Sequence, residues 1–121
     1  LMLADELYRT REYERAISLY QDLLKSTRPD QISYQLASMG VAYSLEGKKD
    51  YKQAIAAYKT IIEKPSGYPL FHVYLSLARC YELNNEQNGA LLTLREMKEK
   101  FSGHSKQDIV DSRLKELEGQ T

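Results

Sequence analysis

Apolar residues recur along the chain three and four positions apart, and no stretch alternates with the two-residue period of a strand. This spacing predicts an all-α chain of seven helices, at roughly 1–10, 12–26, 30–46, 50–64, 69–84, 86–101 and 105–118. The breaks carry helix punctuation. Asp30, following Pro29, is placed to cap the third helix, Asp50-x-x-Gln53 reads as a capping box for the fourth, and Asn85 as a cap for the sixth. Pro65-Ser66-Gly67-Tyr68-Pro69 is a double break, with Pro69 suited to a first helical turn. Ser102-Gly103 ends the sixth helix and Ser105-x-x-Asp108 starts the seventh.

Small residues recur inside these helices with large apolar neighbours at fixed offsets. Leu36-x-x-Met39-Gly40-x-x-Tyr43 is followed by Tyr51-x-x-Ala54-x-x-x-Tyr58. Tyr74-x-x-Leu77-Ala78-x-x-Tyr81 is followed by Gln87-x-x-Ala90-x-x-x-Leu94, and Leu3-Ala4-x-x-Leu7 by Tyr13-x-x-Ala16-x-x-x-Tyr20. Two antiparallel helices approach closely only where one contributes almost no side chain. The pattern resembles the tetratricopeptide repeat, a helix–turn–helix unit of about 34 residues. The resemblance implies a right-handed α-solenoid of about three such units plus a C-terminal capping helix, forming one domain over 1–121. The first repeat covers about 1–28 and is expected to be truncated at its N-terminal side; the second covers about 29–65, the third about 66–101 and the cap about 105–118.

Ala16 to Ala54 is 38 residues and Ala54 to Ala90 is 36, so the surplus over the usual period must lie between helices. Gly40 to Ala54 is 14 residues, against 12 for Ala4 to Ala16 and for Ala78 to Ala90, which assigns two extra residues to the turn 46–50. The rest falls in the proline-bearing loops 25–30 and 64–69, where insertions cost little. In the last helix Leu114 falls at the small-residue position, where it obstructs a close partner. Ile109, Val110, Leu114 and Leu117 form one apolar stripe beside charged faces, as expected of a cap.

Composition narrows the function classes. The 121 residues are 42% hydrophobic and 28% charged, with 17 basic and 17 acidic side chains interspersed. No block of one sign reaches five residues, so no nucleic-acid footprint or polybasic membrane patch is expected. No apolar run approaches a membrane span. The location stays open between cytoplasmic and bacterial periplasmic; the long spacing and Tyr68-Pro69-Leu70 resemble bacterial envelope proteins whose repeats follow a membrane anchor. Of the ten tyrosines, Tyr13, Tyr20, Tyr43, Tyr51, Tyr58, Tyr74 and Tyr81 occupy packing positions, leaving Tyr8, Tyr34 and Tyr68.

Chemistry is sparse. Cys80 is the only cysteine and reads as a buried thiol, His72 and His104 lack a second ligand at metal spacing, and His104 reads as a solvated loop residue. No catalytic residue, metal or cofactor is expected. The resemblance implies a non-enzymatic scaffold that binds a peptide or helical segment of a protein partner on the concave face lined by the first helix of each pair. Its lining is Asp5, Tyr8 and Arg9 from the first unit, Tyr34, Ala37, Val41, Ser44 and Leu45 from the second, and His72, Leu75, Arg79, Glu82 and Leu83 from the third. Family members that grip a chaperone's C-terminal carboxylate carry cationic and amide groups there. The corresponding residues here are Leu1, Asp5, Ser38, Leu75 and Arg79, of which only Arg79 is cationic, so an apolar or helical segment suits the face better than an acidic tail. The alternatives are self-association through the uncapped first helix, giving a homo-oligomer, and a regulatory domain within a larger protein.

Overall fold

The structure, a computed structural model, describes residues 1–64 and 70–119. The described residues contain α-helices and no strand. They divide into two compact units, Leu1–Tyr68 and Pro69–Thr121. The expectations for Tyr68 and for Pro69 as a first-turn residue lie outside the described residues.

The first unit holds α1 (Met2–Arg9), α2 (Tyr13–Ser26), α3 (Ile32–Gly47) and α4 (Tyr51–Glu63). Helix α2 packs against both α1 and α3, and α3 against α4. Ala4, Leu7, Ala16, Tyr20 and Ala37 form its buried core, with Leu19, Leu23, Leu24 and Val41 packed around them. Held between two neighbours, α3 is buried on most sides: Gln35, Ala37, Gly40, Ala42, Ser44 and Leu45 are all inaccessible. Gly40 is required by close approach, because a Cβ there would stand 2.4 Å from the Tyr20 ring. That ring passes over Gly40 and its hydroxyl donates a hydrogen bond to the Asp5 carboxylate on α1. One side chain thus ties three helices.

The hairpins α1–α2, α3–α4 and α5–α6, where α5 is Phe71–Leu83 and α6 is Gln87–Lys100, share one turn. Each has a single left-handed residue: Arg11 (φ 65°), Lys49 (φ 67°) and Asn85 (φ 63°). The next N–H reaches back five residues, from Glu12 to the Leu7 carbonyl (2.8 Å), Asp50 to Leu45 (2.9 Å) and Glu86 to Tyr81 (2.8 Å). These bonds satisfy carbonyls that a helix end would otherwise leave orphaned. The shared turn sets the register. Counting back from it, Ala42 occupies the position of Ala4 and Ala78, and all three lie 12 residues before the small residue of the following helix. The small-residue pattern predicts Gly40 there and two extra residues in the turn; the turn has none, and they fall in the connection from α2 to α3. Gly40 faces the preceding helix instead.

The same turn explains one missed cap. Asp50 caps α4 as expected, its carboxylate accepting from the Gln53 N–H at 3.3 Å. Asn85, however, fills the left-handed position, which asparagine tolerates well, and Glu86 is the residue that precedes α6. Asp30 does not cap α3, which begins at Ile32 after Gln31; it lies 3.6 Å from Arg28. Ser105 does not cap the final helix α7 (Gln107–Glu118). His104 folds that start back, accepting the Lys106 N–H on Nδ1 (3.0 Å) and the Gln107 N–H on its carbonyl (3.0 Å).

In the second unit α6 packs against both α5 and α7. Ala78 and Ala90 are buried as the small-residue pattern requires. Tyr81 takes the turn-acceptor position held by Leu7 and Leu45 elsewhere, and its larger ring is accommodated by Gly89, where a Cβ would meet it at 2.6 Å. Phe71 is buried, edge-on to Phe101 (5.4 Å) and stacked flat on His104 (4.0 Å). His104 is therefore a packing residue, not the solvated loop side chain its glycine neighbour implied. Val110, Leu114 and Leu117 bury α7, whereas Ile109 is 44% exposed and leaves the expected stripe. Tyr20, Tyr58 and Tyr74 are buried and Tyr13, Tyr43, Tyr51 and Tyr81 half-buried, in keeping with packing roles.

Candidate functional site

Each unit carries a groove between consecutive first-type helices. In the second unit the groove encloses about 600 Å³ between α5 and α7. Leu75, Arg79, Glu82 and Leu83 come from α5, Ala78 and Leu94 form the floor, and Ile109, Ser112 and Arg113 stand on the α7 side with Asp108 and Glu116. Leu83 (49% exposed) and Ile109 (44%) are large apolar side chains left open to solvent. Across the groove Arg113 forms an ion pair with Glu82, reinforced by a second hydrogen bond of 3.0 Å from Nε, and it also pairs with Glu116. This two-point guanidinium–carboxylate contact fixes both side chains.

The groove of the first unit, about 300 Å³, lies between α1 and α3. Asp5, Tyr8 and Arg9 line it opposite Leu36, Met39 and Tyr43. Burial, followed by the hydrogen bond to Asp5, raises the Tyr20 phenol well above the usual tyrosine range, so the hydroxyl stays a donor. Arg9 pairs with Glu6 on the exposed surface, a contact that contributes little to stability.

Of the residues expected to line a binding face, Leu75, Arg79, Glu82 and Leu83 are brought together, and Asp5, Tyr8 and Arg9 form a second set. Tyr34 and Val41 line a separate cavity of about 240 Å³ with Leu24, Pro29 and Ile61. Ala37, Ser44 and Leu45 are corrected: all three are buried in α3 and offer no surface. His72 is exposed and edge-on to Phe71, and does not line the α5–α7 groove. Leu36, Met39 and Tyr43, which the sequence marks only as apolar neighbours of Gly40, line the α1–α3 groove, and α7, expected only as a cap, forms a groove wall. The α7 wall, with Ile109, Ser112 and Arg113, uses the opposite side of its helix from the α5 wall, so offsets taken from α5 do not find it.

Among the described residues no group of three or more His, Cys, Asp or Glu side chains stands where it could hold a metal ion. Cys80 is buried. Among the described residues no helix is long and apolar enough to cross a membrane.

No curated protein matches the chain. A family model for the tetratricopeptide repeat matches residues 1–69, more than half of its length and inclusive of the first two hairpins. With three hairpins closed by one recurrent turn and small residues buried in each, the chain belongs to the tetratricopeptide repeat family.

Proposed function

We propose that this chain is a non-enzymatic scaffold that binds a peptide or helical segment of a protein partner in a groove between its helices, in keeping with tetratricopeptide repeats, which generally mediate protein–protein interaction. The α5–α7 groove carries this reading: it is sized for several side chains, floored by apolar groups, and edged by the exposed Leu83 and Ile109. Selection of a displayed random-peptide library on the purified chain tests it. Enriched peptides should lose at least about tenfold in affinity to Leu83→Glu or Ile109→Glu, the usual scale for a central apolar anchor. Leu92→Glu, on α6 outside this groove, should leave affinity unchanged. Failure to enrich any peptide, or equal binding by all three variants, counts against the proposal.

A second reading, self-association through α1, is favoured by the exposure of Met2 (88%) and Leu3 (62%). Sedimentation over a wide concentration range should then show oligomers that Met2→Glu/Leu3→Glu disperses. A single monomeric species throughout eliminates it.

A further inference from the structure

The two walls of the α5–α7 groove differ in charge. Arg79 stands on the α5 side, where it donates to Ser76 Oγ at 3.1 Å. Glu82 and Arg113 neutralise each other across the groove, with the Glu82 side chain only 16% exposed. That leaves the α7 wall with Asp108 and Glu116. Among the described residues the Asp108 side chain has no hydrogen bond or ion pair, and Glu116 shares the already committed Arg113. They lie eight residues apart on one helix, about 12 Å along its axis at 1.5 Å per residue. An apolar trough with two carboxylates along one edge is complementary to cations at the same spacing.

The backbone of the ligand is constrained as well. Helix surfaces form the groove, so it offers no strand edge to an extended peptide, whose amides would depend on side chains and water. A helix satisfies its own. Resting on the reading above, we propose that the α5–α7 groove takes an amphipathic helix with a basic flank. Its apolar face, repeating at three and four residues, lies on Leu75, Leu83 and Ile109. Two lysines or arginines, seven or eight positions apart on its flank, face Asp108 and Glu116.

The test uses three synthetic peptides sharing one set of apolar positions: lysines on the flank, glutamates on the flank, and the lysine version broken by a central proline. Fluorescence anisotropy at low salt should show the lysine peptide binding about fivefold to tenfold more tightly than the glutamate one, as two exposed charge pairs allow. High salt should shrink that preference. The proline peptide should bind at least about tenfold more weakly. Asp108→Lys/Glu116→Lys, at two exposed positions, should reverse the preference, with circular dichroism confirming an unchanged fold. A preference that survives the reversal, equal binding of both charged peptides, or no binding by any peptide overturns the proposal. If the glutamate peptide binds best and Ile109→Glu abolishes it, the groove stands as a binding site and only its charge assignment is wrong. If Ile109→Glu changes nothing, the groove itself is not the site and both readings fail.

Discussion

The grooves of the two units are framed by equivalent helices yet differ twofold in volume, and one position accounts for much of it. Tyr20 and Leu94 each lie four residues after the small residue of their second-type helix. The phenol of Tyr20 crosses Gly40 and reaches Asp5, filling space in the α1–α3 groove. The shorter Leu94, at the corresponding position of α6, lies at the floor of the α5–α7 groove and leaves it open. The rims differ too: Asp5, Tyr8 and Arg9 correspond to Arg79, Glu82 and Leu83. The backbone sets where a groove exists; these few side chains decide how much room and which charge it presents.

The largest expected effect breaks the comparison on the second unit's side. Phe71→Ala should cost about 3–5 kcal/mol in denaturant unfolding, because it empties the site packed by Phe101 and His104. Next, Gly40→Leu alone should cost about 1–3 kcal/mol by driving a side chain into the Tyr20 ring. Adding Tyr20→Leu removes the ring that the new side chain strikes, so the double variant should be more stable than Gly40→Leu; a double-mutant cycle showing simple additivity refutes this coupling. Arg113→Ala, which releases α7 from Glu82, should cost roughly 1 kcal/mol, given that the arginine is partly exposed. The smallest effect is a gain. Lys49→Asn should stabilise by about 0.5 kcal/mol, since asparagine accepts the left-handed backbone that Asn85 already occupies in the equivalent turn.

The hairpins and their order could be read from the chain because tight helix crossings admit only Gly or Ala, and Ala4, Ala16, Ala54, Ala78 and Ala90 are all buried. The register of α3 could not. Gly40 and Ala42 are both small, and the pattern around Gly40 imitates the repeat while serving a different neighbour. Choosing between them needs the backbone of the turn, which Thr10-Arg11-Glu12, Lys48-Lys49-Asp50 and Asn84-Asn85-Glu86 encode in three different ways. The groove lining failed for a related reason: offsets carried into a helix enclosed on most sides select buried positions, which is how Ala37 and Ser44 were included. Offsets carried into α5 select Leu75, Arg79, Glu82 and Leu83, which line its groove, and His72, which does not.

Because hydrogen bonds of the main chain, not a particular tripeptide, specify that turn, substitutions within it are cheap. Whole hairpins built around this turn should be interchangeable modules, each bringing its own rim. An array lengthened by duplicating one hairpin would keep its architecture while acquiring a new ligand preference from a handful of outward-facing positions.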